Sequence, residues 1–239
     1  MPHFSRILTP LLVLPLLASP ALAWTPALDE ATAQKVIDSA MQRPVDGEKP
    51  TFLSVNLAVE GGAFKTPDAV IQFAGPETCT AQWLAQAPEA GSRIQSVTVS
   101  GQADSVYWQA AKAYTEWRNL KATDVLTPEA RAGRMADGQL RADVKLAGVP
   151  SEATRRAYRV RLQVGEGQFL EPARRSYVAD WKQGTDGLWS GTAVYYFSNT
   201  PPEGQSTPRF DPNSTVALQF LNEKGECGYS IPLNLAAFY

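Results

Sequence analysis

Histidine is almost absent from this sequence, in which the one imidazole belongs to His3. His3 lies in a segment that we expect to be removed, so the mature chain should contain no imidazole. Ser-His-Asp and Cys-His catalysis, and histidine-ligated zinc, iron or copper, are then excluded. The chemistries that remain are paired carboxylates, Ser-Lys or tyrosine groups, and metal sites built from oxygen ligands.

The N-terminal segment MPHFSRILTPLLVLPLLASPALAW has the three parts of a secretory signal peptide. One arginine precedes an apolar run over residues 7–17, and Ala21-Leu22-Ala23 is a small-residue cleavage site. The run is too short to span a bilayer, and no later segment is apolar enough to form a transmembrane helix. We predict a signal peptide at residues 1–23, a mature chain from Trp24, and a secreted or periplasmic location.

Cysteine is also scarce, with Cys79 and Cys227 as the two members. An even cysteine count in an exported chain predicts a disulfide, and two buried free thiols are the alternative. Neither cysteine lies in a C-x-x-C motif, and no histidine is available to activate a thiolate. We therefore expect a structural bridge.

Excess positive charge is absent as well. After residue 23 the chain holds 21 basic and 24 acidic side chains, a net charge of −3, which argues against nucleic acid as a partner. The charge is uneven, because residues 118–175 hold 12 basic and 7 acidic side chains. The middle of the chain is locally cationic.

Hydrophobic periodicity predicts a mainly β protein with two helices near the N-terminus. Helical spacing follows Thr25-Pro26 and recurs after Asp104. Strict alternation predicts strands before residue 101 and a longer succession after residue 138, separated by turn residues. We predict a smaller α+β region at residues 24–138, with two helices and an antiparallel sheet. It should be followed by a C-terminal antiparallel, immunoglobulin-like β-sandwich at residues 139–239.

The cationic middle suggests a binding site for an anion. In RRAYRVRLQV, Arg159 and Arg161 point outward if their apolar neighbours point inward, and we interpret them as keeping an exposed sheet soluble. Two long connections should lie at one end of the sandwich and bring basic side chains together. We call this predicted binding site the arginine rim, and it consists of Arg174, Arg175, Arg209 and Phe210. The alternative is a flexible loop with unrelated charges.

Three other turns carry carboxylates that should share the opposite end. Oxygen ligands from separate loops are what Ca²⁺ prefers, so calcium is the one cofactor that we consider. Solvated turn carboxylates are the competing interpretation, since no ligand ladder is present. The candidate ligands are Glu152, Asp186, Glu223 and Glu226.

Aromatic residues at helical or strand spacing predict core packing rather than sugar binding. Tyr114 and Trp117 fall on the apolar stripe of the second predicted helix, which also contains Val106 and Ala110. Trp108 belongs to the same segment, and we also assign it to packing. The sequence therefore predicts no aromatic platform.

The function that these patterns favour is that of an exported, non-enzymatic, β-rich protein of the cell envelope or periplasm. It would bind a partner protein or an anionic envelope polymer, or serve structurally. An outer-membrane β-barrel is one alternative, because YSIPLNLAAFY alternates and ends on an aromatic residue. A glycan hydrolase that uses carboxylates without histidine is the other, although no motif selects a carboxylate pair.

Overall fold

The structure is a computed structural model that describes residues 23–66, 69–85 and 92–239. The predicted signal peptide lies outside these residues, apart from Ala23. Trp24, the first residue of the predicted mature chain, is buried, and its backbone N–H donates a hydrogen bond to the Leu235 carbonyl over 2.9 Å. Across the described ranges, every helix falls short of the length and apolarity needed to cross a membrane.

Strands outnumber helices in the described chain. The helices are α1 Glu30–Ala40, α2 Thr78–Ala85, α3 Gln102–Thr115, α4 Ala122–Val125 and α5 Pro128–Ala132. The first strands are β1 Phe52–Asn56, β2 Val59–Glu60, β3 Ala63–Phe64, β4 Ile71–Ala74, β5 Arg93–Ser100 and β6 Gln139–Val149. The later strands are β7 Arg159–Gly165, β8 Gln168–Leu170, β9 Arg174–Tyr177, β10 Lys182–Gln183, β11 Trp189–Ser198, β12 Thr215–Leu221 and β13 Gly228–Asn234.

Two antiparallel sheets dominate the fold, as the mainly β prediction requires. The first sheet has the order β1-β5-β6-β11-β10, with β9 also paired to β11. The second sheet has the order β4-β13-β12-β7-β8, and β2 and β3 form a separate hairpin. Both sheets cross the predicted boundary at residue 138, because β5 pairs with β6 and β4 pairs with β13. Strands from both sides of residue 138 therefore share each of the two sheets.

The two sheets share one hydrophobic core. Alternation directs Leu140, Ala142 and Val144 of β6 inward from the first sheet, and Val160 and Leu162 of β7 inward from the second. Residues from all long strands of both sheets join this single cluster. Each sheet therefore has one buried face and one outer face.

The helices form a second, smaller cluster. Asp29 caps α1 by accepting a hydrogen bond from the Thr32 N–H over 2.7 Å, and α1 packs on α3 through side chains such as Val36 and Val106. The prediction that Tyr114 and Trp117 are core residues is wrong. The buried stripe of α3 is mainly alanine and α3 ends at Thr115, so Trp117 is 98% exposed and Tyr114 is also exposed. The assignment of Trp108 to packing is wrong as well, because this ring is 63% exposed.

The predicted disulfide between Cys79 and Cys227 is confirmed, with the two Cα atoms 5.9 Å apart. Cys79 lies in the first turn of α2, five residues after Ala74, which is the last residue of β4. Cys227 immediately precedes Gly228, which pairs with Ala74. The bridge therefore fastens the short edge strand β4 to β13.

Candidate functional site

The outer face of the second sheet contains a groove of about 430 Å³. The residues that matter for its chemistry are Phe73, Arg159, Arg161, Glu171, Arg175 and Gln219. We call this feature the arginine groove. Alternation on β7 places Arg159 and Arg161 on this face because Tyr158, Val160 and Leu162 are buried in the core.

A chain of side-chain amides orients Arg161 at the centre of the groove. The Arg161 Nε–H donates to Gln219 Oε1 over 2.9 Å, and the Gln219 Nε2–H donates to Gln163 Oε1 over 2.7 Å. The cross-strand register of β7 and β12 sets these residues side by side, with Arg161 opposite Gln219. No described residue accepts a hydrogen bond from the two terminal nitrogens of Arg161, so these donors are available to a ligand.

Two exposed phenyl rings flank the Arg161 guanidinium. Its central carbon lies 3.7 Å from the centroid of Phe169 and 5.9 Å from that of Phe73. The rings are 40% and 43% exposed, respectively. A Cβ at Gly228 would lie 2.9 Å from the Phe73 ring, so the glycine lets this ring lie flat over β13. The groove therefore combines a fixed cation with two apolar surfaces.

The groove carries more positive charge than its own carboxylate can balance. Within the described ranges, none of Arg159, Arg161 and Arg175 has a carboxylate oxygen within 4.0 Å. Glu171 is the one acidic residue among the side chains that line the groove. Guanidinium groups bind carboxylates and phosphates through paired, charge-assisted hydrogen bonds. An excess of unpaired guanidiniums beside a groove is the arrangement expected of an anion-binding site.

The residues of the predicted arginine rim have different contacts in the structure. Arg175 lines the groove, whereas Arg174 stacks on the Tyr196 ring at 3.8 Å and the Arg209 Nε–H donates to the Thr200 carbonyl over 2.9 Å. Phe210 was expected on the rim, but it is 5% exposed and stacks on the Trp24 ring at 5.5 Å. The Pro-rich loop thus contributes this ring to the core, and Phe210 is unavailable to a ligand.

The four predicted calcium ligands differ in their contacts. Glu152 pairs with Arg155 over 2.6 Å, and Asp186 Oδ1 accepts the Leu188 N–H over 3.0 Å. Glu226 is exposed. Within the part of the chain that is described, no group of three or more potential metal ligands occurs. The proposed cation site therefore has no cluster of ligands to support it.

Glu223, the fourth of these residues, belongs to a hydrogen-bond network at the end of the core. It accepts the Ser92 N–H over 3.2 Å and the Ser92 hydroxyl, which also contacts the Tyr158 hydroxyl. Burial, together with the charge of Glu223, raises the pKa of Tyr158 well above its ordinary value. Tyr158 therefore stays neutral, and the network joins the β12–β13 turn to the segment before β5.

Sequence reasoning identified the outward direction of Arg159 and Arg161 but assigned them to solubility. A usable signal was present, because R-V-R places two like charges on one strand face with no acidic residue between them. Phe73 gave no such signal, since its position depends on the pairing of β4 with β13.

Comparison of the chain with protein-family models, with curated proteins and with solved structures gives no match. The function must therefore be argued from the chemistry of the groove itself.

Proposed function

We propose that this protein is an exported, non-enzymatic, β-rich binding protein of the cell envelope or periplasm. Its arginine groove would hold a carboxylate- or phosphate-bearing group of a partner protein or an envelope polymer. The observation that carries the proposal is the set of three guanidiniums, those of Arg159, Arg161 and Arg175, that surround the groove without a paired carboxylate. A disulfide-bonded chain with a predicted signal peptide fits an oxidising compartment.

The groove supports binding rather than hydrolysis. Glycan hydrolysis in its usual form needs two carboxyl groups that flank the scissile bond, and one carboxylate, Glu171, lines this groove. Its volume of about 430 Å³ lies in the range of small-molecule sites, which is sufficient for one repeat of a polymer or a short side chain. The exposed rings of Phe73 and Phe169 supply apolar contact around the anion.

Two structural assignments belong to the same proposal. The immunoglobulin-like character of the sandwich is supported by two antiparallel sheets around one core. The division at residues 1–23, 24–138 and 139–239 is supported for its first part by the small residues before Trp24. Calcium at Glu152, Asp186, Glu223 and Glu226 has no comparable support from their contacts.

The test compares two double variants that each remove two positive charges. Arg159→Ala/Arg161→Ala alters the groove, whereas Arg174→Ala/Arg209→Ala alters only the remainder of the predicted rim. With poly-L-glutamate and with polyphosphate as probes, titrated at two salt concentrations, we expect the groove variant to bind at least about tenfold more weakly. The rim variant should bind within about twofold of the parent.

Each alternative outcome has a defined meaning. If both variants lose affinity equally, binding follows net charge and the groove is not a site. If the rim variant alone loses affinity, the site lies at Arg174 and Arg209. Thermal unfolding of all the proteins, followed by circular dichroism, verifies that a loss of binding is not a loss of fold.

A further inference from the structure

Glu171 stands out because it lies beside two arginines without pairing with either. Leu170 pairs with Leu162 in the β7–β8 ladder, and continuing this antiparallel register places Glu171 level with Arg161 on the outer face. Glu171 also lines the groove together with Arg175. No ion pair joins it to a described arginine, and its side chain is exposed.

The absence of that ion pair has a physical cause in the neighbouring contacts. The Arg161 guanidinium stacks on the Phe169 ring at 3.7 Å and donates to Gln219 over 2.9 Å, and these contacts hold it in a position in which it forms no ion pair with Glu171. A carboxylate whose oxygens are not paired with the adjacent cations keeps those acceptor oxygens for a ligand. The groove therefore presents three positive charges and one separate negative charge.

We propose that Glu171 makes the arginine groove selective for ligands that carry an ammonium group beside their anionic group. This inference rests on the proposed function, because it concerns a ligand in the same groove. A ligand with acidic groups alone would place one of them near Glu171 and be repelled. A ligand with an ammonium at that position would donate a charge-assisted hydrogen bond to Glu171 while its acidic group binds the arginines.

The spacing of the charges sets the size of the ligand. Arg159 and Arg161 are two residues apart on one strand, or about 7 Å, and Glu171 is on the adjacent chain segment. Glu171 lies level with Arg161, and directly opposite side chains on adjacent strands have Cβ atoms about 5 Å apart, so a ligand whose ammonium is a few bonds from its carboxylate or phosphate can reach both. This chemistry occurs in peptides that mix acidic and basic residues and in phosphorylated amino sugars.

The experiment uses two pairs of probes, and in each pair one member carries ammonium groups and the other carries anionic groups alone. One pair is hexaglutamate and a hexapeptide of alternating glutamate and lysine. The other is glucose 6-phosphate and glucosamine 6-phosphate. Binding to the mature chain would be followed by chemical-shift titration, because small ligands of this kind bind weakly. We expect the aminated member of at least one pair to bind about three- to tenfold more tightly.

Glu171→Gln is the decisive variant and Glu166→Gln is its matched control. Both remove one exposed carboxylate, but Glu166 lies in the β7–β8 turn and does not line the groove. Glu171→Gln should abolish or invert the preference by weakening the aminated probe and strengthening the purely anionic one. Glu166→Gln should leave the preference unchanged. Preference in the peptide pair alone assigns a protein ligand, and preference in the sugar pair alone assigns a glycan.

Failure of this inference and failure of the proposed function give different results. If Arg159→Ala/Arg161→Ala abolishes binding but the two glutamate variants behave alike, the groove binds anions and Glu171 does not select among them. If the arginine variant binds all four probes as the parent does, the groove is not the site and both proposals fall. A parent that prefers neither member of either pair also overturns the role of Glu171.

Discussion

Strands β6 and β7 present similar charged sequences on the outer faces of the two sheets, with opposite results. On β6, Arg141, Asp143 and Lys145 alternate in sign along one face, and Arg141 pairs with Asp143 over 2.8 Å. On β7, Arg159 and Arg161 have the same sign, and neither pairs with a described carboxylate. On the outer face of the first sheet an arginine pairs with a carboxylate of its own strand, whereas the arginines of β7 on the second sheet have no such partner and are available to a ligand.

Aromatic side chains follow the same division. Tyr196 on the first sheet is 8% exposed beneath the Arg174 guanidinium, so its ring contributes to packing. Phe73 and Phe169 on the second sheet remain exposed around Arg161. What separates a structural cation from a binding cation here is the presence of a partner on the same strand face, two residues away.

The largest effect should come from the disulfide, which fastens an edge of the second sheet only. Replacing both cysteines, as Cys79→Ser/Cys227→Ser, should lower the free energy of unfolding by about 5 kcal/mol, because the bridge closes a long loop in the unfolded chain. Under conditions in which this variant is still folded, the backbone amides of β4 should exchange their hydrogens faster than those of β5 and β6. Denaturant unfolding measures the loss of stability, and hydrogen exchange measures the opening of β4.

The same variant also tests whether the groove depends on β4. Phe73 and Ala74 of this strand line the groove, so freeing β4 should weaken binding of poly-L-glutamate under conditions in which the protein is folded. Uniformly faster exchange in both sheets, or undiminished binding, would contradict a local role of the bridge.

The sequence alone was sufficient to predict the strands of the fold and the disulfide bridge. The succession of strands predicted after residue 138 is present as β6 to β13, and Arg159 and Arg161 lie on the face of β7 opposite its buried residues, as alternation predicted. Alternation and turn residues are local signals, and they also show which face of a strand a side chain occupies. The even cysteine count was enough to predict the Cys79–Cys227 pair.

What could not be predicted depends on contacts between distant parts of the chain. Phe210 lies in a proline-rich loop that is typical of exposed segments, yet Trp24, far away in sequence, covers it. Arg175 and Arg159 line the same groove because the chain passes from β8 in the second sheet to β9 in the first over residues 171–173. Alternation gives the direction of a side chain but not its neighbours, and neighbours decide whether a cation is paired.

Two glycines allow a second, intermediate test of the difference between the faces. A Cβ at Gly191 would lie 2.4 Å from the Trp181 ring, whose indole N–H donates to the Thr192 carbonyl over 3.2 Å. Gly191→Ala on the first sheet should therefore cost about 2 kcal/mol of stability and leave anion binding unchanged. Gly228→Ala should displace the exposed Phe73 ring, cost less stability, and weaken binding in the groove.

Thermal unfolding and poly-L-glutamate titration of these two variants form a crossed experiment. The expected pattern is a larger stability loss in one variant and a larger binding loss in the other. Equal losses of both properties in both variants would show that the two outer faces are not functionally distinct.

The smallest expected effect concerns Asp104, which contributes charge to the first sheet from α3. Burial raises the pKa of Asp104 above its ordinary value of 3.8, although a hydrogen bond from Thr51 and the charge of Arg141 oppose this. The folded protein therefore binds a proton at Asp104 more tightly than the unfolded chain does. Its contribution to stability is complete below about pH 3.8 and is lost as the pH rises through the folded pKa.

Asp104→Asn keeps an oxygen acceptor for Thr51 and removes the charge. We expect the variant to be more stable than the parent at pH 7 by a few tenths of a kcal/mol, since solvent screens a half-buried carboxylate, and to lose this advantage near pH 3. Asp143→Asn should be less stable than the parent at pH 7, because Arg141 loses its charged partner. Denaturant unfolding at both pH values measures the differences. If the parent is instead more stable than Asp104→Asn at pH 7, the attraction of Asp104 to Arg141 outweighs the cost of burying its charge. The charges of the first sheet would then be more favourably paired than the raised pKa implies.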